Sequence, residues 1–273
     1  MPGPLGLRIA RCDEFAIDLH HHDLGIVCLD HLADLPDESV DMVYMDPPFN
    51  TGRVQSGTDP DHAYADDFGT TGQYIEFLKP RIIQVHRVLK PTGSIMLHCD
   101  WRNSHHVRLL LDRVFGEDNF INHVIWSYGL GGSSPRRFAR KHDDILFYGR
   151  TDQYWFDPPR IPATSRRMQG RTKKATDVLD IPSLNNMASE RTGYPTQKPL
   201  QLLRMLVQSA APPGGIVLDP FCGSGTTLVA AIETGRRWMG FDISPDAVTM
   251  SITRCNEAGD VAANSRGQVV TGI

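Results

Sequence analysis

Val40-Asp41-Met42-Val43-Tyr44-Met45-Asp46-Pro47-Pro48-Phe49 is the stretch from which the reading of this chain proceeds. An apolar run rich in β-branched and aromatic residues that stops at two prolines reads as a buried strand ending in a stiff loop. Proline pushes the residue before it out of the helical region, so Asp46 is held extended. Neither proline carries a backbone N–H. The loop therefore offers a carboxylate and carbonyl oxygens but few donors. Such a site accepts hydrogen bonds from an amino group and is not built to hold an anion. A bare Asp-Pro-Pro is equally a strand-terminating turn, so its meaning depends on a partner elsewhere in the chain.

Working outward, Met1 to about Leu24 is weakly patterned, Gly25 to Leu29 reads as a short strand and Asp30 to Leu35 as a helical turn. Residues 50–72 form a polar, Gly- and Asp-rich stretch, a length that is usually functional or mobile. Tyr74 to Leu89 has helical spacing, with Pro80 expected to kink or interrupt it. Ser94–His98 reads as a strand, Ser104–Phe115 as an amphipathic helix, and Asn122–Tyr128 and Asp144–Tyr148 as two further strands. Thr151 to Arg191 is proline-rich, basic and poorly periodic. Then come a helix (Leu200–Ala210), a strand (Ile216–Asp219), a helix (Thr226–Thr234), a strand (Trp238–Asp242), a helix (Pro245–Cys255) and a small, polar tail from Asn256. Strands alternating with helices predict an α/β fold, a mostly parallel sheet with helices on both faces.

The partner of the proline loop is Asp219-Pro220-Phe221-Cys222-Gly223-Ser224-Gly225, between a strand and a helix. Glycines let the backbone bend sharply and approach a ligand, and Asp219 waits at the strand's carboxyl end. Asp242 ends the next strand, nineteen residues after Gly223, the spacing at which a carboxylate binds the two hydroxyls of a ribose. Any tight strand-to-helix turn shares part of this pattern. A carboxylate ahead of the turn, however, would repel a pyrophosphate and attract a cation. The ligand implied has a ribose and a positive group, which fits S-adenosylmethionine better than NAD.

The 273 residues, 40% of them hydrophobic, can bury a full core as one large domain or one domain with an insertion. There is no apolar run near 18 residues and no charged-then-apolar leader, so a soluble, cytoplasmic protein is expected. Five scattered cysteines, with no C-x-x-C pair, argue against a disulfide framework and a zinc site. His20-His21-His22-Asp23 is adjacent in sequence and is not expected to converge on one metal ion. Net charge is −4, yet Arg136 to Lys174 holds eleven Lys and Arg against four Asp, an excess of seven positive charges. A charge run is commonly a solvated face; with the other segments correspondingly acidic, it points to a molecule with one basic face.

Asp46-Pro-Pro-Phe49 first, Asp219-Pro-Phe-Cys-Gly-Ser-Gly-Thr-Thr227 later, and Tyr194-Pro-Thr-Gln-Lys-Pro199 between them resemble the β-class DNA amino-methyltransferases. The likeness runs from about Leu29 to Arg254 and takes in His98-Cys99-Asp100 and Arg137-Phe-Ala-Arg-Lys-His-Asp143. In that family the catalytic motif precedes the methyl-donor motif, a circular permutation of the usual order. The resemblance implies a Rossmann-like S-adenosylmethionine-dependent fold with a seven-stranded type of sheet. It implies a single methyltransferase domain over 1–273, with 129–193 as an inserted, short target-recognition region.

It further implies methyl transfer to N6 of adenine or N4 of cytosine in double-stranded DNA at a short site, in restriction–modification or as an orphan enzyme. Adenine is favoured because the motif begins with Asp and ends with Phe. By that likeness Asp46, Pro47, Pro48 and Phe49 are catalytic. Asp219, Phe221, Cys222, Gly223, Gly225, Thr226, Asp242, Thr196 and Lys198 would hold the donor, with His98 and Asp100 bordering the site. Arg136, Arg137, Arg140, Lys141, Arg166, Arg167, Arg171, Lys173 and Lys174 would contact DNA. A cognate restriction endonuclease and a homodimer are associations the family brings with it. Two departures stand out: Ile26-Val27 where the family has Gly-Asp, for which Asp23 or Asp30 could substitute, and the shortness of the stretch between Phe147 and Tyr194. A small recognition surface implies a second subunit, a short or relaxed target, or lost activity. A catalytically impaired DNA-binding relative therefore stands as the rival reading beside an N4-cytosine enzyme.

Overall fold

The structure is a computed structural model that describes residues 8–11, 27–55, 64–129, 133–185 and 188–267. In chain order its elements are β1 (Arg8–Arg11), α1 (Val27–Asp34), β2 (Val40–Met45), β3 (Arg53–Gln55), β4 (Tyr64–Asp66), α2 (Thr71–Val88), β5 (Leu89–Cys99), α3 (Ser104–Phe115), β6 (Phe120–Ser127) and β7 (His142–Gly149). They continue with β8 (Arg160–Pro162), β9 (Thr172–Lys174), β10 (Val178–Asp180), α4 (Leu200–Ala210), β11 (Ile216–Asp219), α5 (Thr226–Glu233), β12 (Arg237–Phe241) and α6 (Pro245–Gly267).

β2 shows why the sheet is buried on both sides. Successive side chains of a strand point to opposite faces. Met42 and Tyr44 enter a core with Leu203, Val229 and Val248 of α4, α5 and α6. Val43 and Met45 enter a second core with Leu32, Ile82 and Leu111 of α1, α2 and α3, joined by Val40, which lies before the register shift between Val40 and Met42. Every residue of the strand is buried, so its sequence reads as continuously apolar except at Asp41. That carboxylate is neutralised by Lys90 Nζ at 2.8 and 2.9 Å and accepts the Ile216 N–H at 2.7 Å, which ties β2 to both neighbours.

The main sheet runs β1-β12-β11-β2-β5-β7-β6-β10. Four of its seven pairings are parallel; β1 and β7 run against their neighbours. After β1 at one edge, the chain enters the middle of the sheet at β2 and continues to β5. It skips one place to β6, turns back to fill that place with β7, and ends this half at β10 on the other edge. It then returns to the middle at β11 and works the other way through β12. β2 and β11 are therefore parallel neighbours, with Val217 opposite Met42 and Leu218 opposite Val43, although their motifs lie far apart in sequence. Their carboxyl ends open at the same edge, the place where ligands bind open α/β sheets.

Several expectations change. The strand expected over Gly25–Leu29 is helix α1 from Val27 onward, because Cys28 and Leu32 share one face against α2. Pro80 lies inside α2 without ending it; a Thr70/Gln73 capping box starts the helix and buried Tyr74, Leu78, Ile82 and Val85 hold it against the sheet. Residues 50–72 contribute the β3–β4 hairpin, tied by Asp66, which accepts from Asn50 N at 2.7 Å and Thr51 Oγ1 at 2.6 Å. The weakly patterned N-terminus supplies β1, antiparallel to β12, and Thr151–Arg191 supplies β8, β9 and β10. Helix α6 continues through the polar tail to Gly267. Cys12, His20–Asp23 and Ile26 lie outside the described residues. Among the described residues no helix is long and apolar enough to cross a membrane, and no group of three metal-ligating side chains converges.

Candidate active site

Asp46 is the first residue beyond β2, and side chains from three distant segments surround it. Lys198 Nζ donates to Asp46 Oδ2, and His98 Nδ1 lies 3.8 Å from Oδ1. His98 is wholly buried at the end of β5: Tyr44 Oη is 2.7 Å from its Nδ1, and its Nε2 is 3.3 Å from Asp143 Oδ2. Tyr128 donates its hydroxyl to Asp143 Oδ1 at 3.3 Å. Burial would raise the Asp143 carboxyl, but hydrogen bonds from His98 and Tyr128 and the Lys198 charge outweigh it and hold the group below the ordinary carboxylate range. An ionised Asp143 only accepts, so the Nε2–H of His98 donates to it, and Nδ1 is left facing the Tyr44 hydroxyl.

The proline loop is braced from the other side. Asn103 Nδ2 donates to the Phe49 carbonyl at 2.9 Å. The Phe49 ring lies 5.5 Å from His98, and Trp126 meets His98 edge-on at 5.7 Å. Lys198 reaches Asp46 from a constrained segment. Gln197 takes hydrogen bonds from Thr192 N and Oγ1 at 2.9 and 2.8 Å and gives one to Glu190 O at 2.7 Å. Thr196 beside it sits at φ 59°, in the left-handed region costly for a β-branched residue.

The second motif builds its site mainly from the main chain. Asp219 Oδ1 accepts the Phe221 N–H at 3.0 Å. Asp242 accepts from Gly223 N at 2.8 Å and Ser244 N at 2.9 Å. Gly223 has φ 50°, and a Cβ there would stand 3.0 Å from the Tyr194 ring. Gly225 (φ 76°) would drive a Cβ to 2.8 Å from that of Ser251, so this glycine secures the α5–α6 packing. Burial raises both carboxyls; Asp219, with Asp46 and Asp242 adding like charge, is pushed up to about 7.

One cavity joins the two motifs. Asp46, Pro48 and Lys198 line it from the first; Asp219, Phe221, Cys222, Gly223, Thr226 and Asp242 line it from the second; Thr196 completes the rim. Pro47 is buried in the loop, and Phe49 faces His98. Asp100 is bound by Arg102 beyond β5. The basic residues lie apart: Arg136, Arg137, Arg140, Arg167, Arg171 and Lys174 are exposed, Lys141 and Lys173 half-buried, and the side chain of Arg166 is outside the described set. Sequence reading missed Tyr44, Asp143, Tyr128, Tyr64 and Tyr194 as site residues. Asp143 and Tyr194 carried a signal, as the end and the start of quoted motifs, and Tyr44 lay in the opening stretch; Tyr64 and Tyr128 carried none.

Residues 40–253 match the DNA methylase family of N6 and N4 methyltransferases. The chain is 28% identical over 258 residues to the DNA adenine methyltransferase YhdJ of Escherichia coli (strain K12), covering 88% of this chain and 84% of that protein. It is 30% identical over 242 residues to the type II methyltransferase M.BglII of Bacillus subtilis, covering 81% and 64%. Among solved structures it resembles the cytosine-N4-specific PvuII DNA methyltransferase, with TM-score 0.63, 19% identity and coverage of 86% and 88%. It also resembles an M1.HpyAVI–SAM complex, with TM-score 0.59, 20% identity and coverage of 84% and 96%. The chain belongs to the DNA methylase family.

Proposed function

We propose that this member of the DNA methylase family transfers a methyl group from S-adenosylmethionine to the exocyclic N6 of adenine in double-stranded DNA at a specific short site. The observation that carries the reading is the shared cavity: a carboxylate on a donor-poor loop shares it with Asp219, just ahead of the glycine turn, and Asp242, just beyond β12. The donor set suits the ligand. Asp242, fixed by two main-chain N–H groups, is placed for ribose hydroxyls. Asp219 is placed for a positive group, and Phe77 and Phe221, 6.3 Å apart, give apolar walls for a base.

S-adenosylmethionine, when bound, supplies an electrophilic methyl on a positively charged sulfur. The residues act on the amine that attacks it. An exocyclic amine is a poor nucleophile because its lone pair is delocalised into the ring. Hydrogen bonds from its N–H groups to Asp46 and to the Pro47 carbonyl hold the nitrogen more pyramidal and aim the lone pair at the methyl. Lys198 now occupies Asp46 Oδ2, so it must yield that oxygen to the amine. As the N–C bond forms the methyl's bond to sulfur would break, the sulfur leaving as a neutral thioether. The amine becomes positively charged, the Asp46 carboxylate stabilises that charge, and the proton is then lost to solvent. The base reaches the pocket by rotating out of the duplex and stacks on Phe49. Arg136, Arg137, Arg140, Lys141, Arg167, Arg171, Lys173 and Lys174 hold the phosphates, so binding weakens steeply with salt.

The test is transfer of labelled methyl to unmethylated DNA, followed by nucleoside analysis. N6-methyladenine is expected. Asp46→Ala should cut kcat by roughly 10³-fold or more, while donor affinity stays within a few-fold. Label in N4-methylcytosine would move the target base; DNA binding without donor uptake would favour a catalytically impaired relative.

A further inference from the structure

Phe138 is 97% exposed, whereas the other exposed aromatics, Trp101 and Phe156, are 40% and 42% exposed. Full exposure of a large apolar side chain needs a reason. Its neighbours give one. Arg136, Arg137 and Arg140 are exposed around it, and Lys141 closes the group. The segment is fixed on its C-terminal side. Arg140 stacks on Trp101 with its guanidinium carbon 3.3 Å from the ring centroid. Tyr128 N donates to Lys141 O at 3.0 Å, and Lys141 Nζ to Gly129 O at 2.9 Å. Asp143, two residues further on, is the partner of His98.

Trp101 lies two residues beyond the end of β5, the parallel neighbour of β2, and Asp46 is the first residue beyond the same end of β2. Phe138 is thus two residues from an anchor on the edge where Asp46 emerges, and at most about 18 Å of extended chain from Asp143. An apolar ring flanked by exposed Arg136, Arg137 and Arg140 does not suit a protein's apolar patch, which would have to bury those charges beside it. It does suit a base step, where apolar rings enter between bases while cations meet the phosphates on either side.

Resting on the methyl-transfer reading above, we propose that Phe138 is the wedge that enters the DNA stack and fills the space left by the rotated target base. Its contribution lies in the cost of extruding a paired base, so it disappears when that base is already unpaired. This separates a wedge from a phosphate contact or a packing residue, which matter equally on both substrates.

The experiment maps the target site by modification-sensitive sequencing. Single-turnover transfer is then compared on a matched duplex and on one in which the target base faces a non-pairing partner. Phe138→Ala should slow transfer about 30-fold on the matched duplex, by unstacking costs, and recover to within about three-fold of wild type on the mispaired one. Phe138→Trp should retain activity on both. Equal loss on the two duplexes, or no loss on either, overturns the wedge while leaving the methyl-transfer reading intact. A wild-type protein that methylates neither duplex removes that reading and the wedge with it.

Discussion

The two halves of the cavity reach similar chemistry by different construction. On the β11–β12 side, Asp219 is held by the Phe221 N–H of its own turn and the nearby Thr227 side chain. Asp242 is held by the Ser244 N–H of its own turn and the Gly223 N–H of the glycine turn beside it. On the β2–β5 side, Asp46 is held by side chains: Lys198, 152 residues away, and His98, itself positioned by Tyr44 and Asp143. Main-chain donors at a glycine turn do not move without unfolding the turn. A lysine ammonium on a four-carbon stem can leave. On the methyl-transfer reading proposed above, the first side is a fixed seat, and the second is a latch that must open for the target amine.

The largest effects that could break this contrast come from Asp46→Ala and Asp219→Ala read side by side. The fixed seat predicts loss of donor affinity of about 30-fold or more, with the chemical step on saturated enzyme little changed, since removing a charged partner of a buried ligand costs several kcal/mol. Asp46→Ala should show the opposite split, with rate lost and affinity kept. Calorimetric donor titration beside single-turnover rates reads both; one pattern for both variants would mean the halves are a single unit.

The next effect is proton linkage. Asp219 titrates at about 7, raised first by burial and then by Asp46 and Asp242. Below that pH the carboxyl is protonated and neutral, so a cationic donor must displace its proton. Affinity should rise roughly tenfold per pH unit up to about 7, then level until the ligand's own ammonium titrates near ~8. Proton release into buffers of different ionisation enthalpy should fall to near zero in Asp219→Asn. The stability sign is opposite for the ligand-free protein. A raised carboxyl gives stability that is full below its unfolded value of 3.8 and lost as pH climbs to about 7, so Asp219→Asn should flatten that slope.

The same contrast decides what sequence could show. The β11 half was legible because its parts are local: a strand, a glycine turn whose φ values demand glycine, and a carboxylate nineteen residues on. The proline loop was legible as chemistry but not as a network. Its partners arrive from β5, β7 and the segment before α4, and no local spacing links Asp46 to Lys198 or Asp143. β1 and β10 were missed because strands of four and three residues take their order from pairing with β12 and β6 rather than from their own pattern. The long α6 was missed because a polar tail carries no periodic signal past Cys255.

Asp143→Asn should have the smallest effect and bears most directly on the latch. Asparagine keeps the shape and can still accept from His98 Nε2, but the charge that fixes the ring's tautomer is gone. Because Asp143 does not line the cavity, donor affinity should not change. His98 would then orient Asp46 less well, slowing transfer about five-fold, the order expected for weakening one hydrogen bond by ~1 kcal/mol. Stability should report the same charge. A carboxyl held below its ordinary range gives stability that is present above the unfolded value and lost as pH falls, so the variant's deficit should be largest near neutral pH and shrink in acid. Parallel thermal melts and transfer rates across pH read both quantities. A loss near 10³-fold would make Asp143 as important as Asp46, and a shift in donor affinity would show that the latch and the seat are mechanically joined.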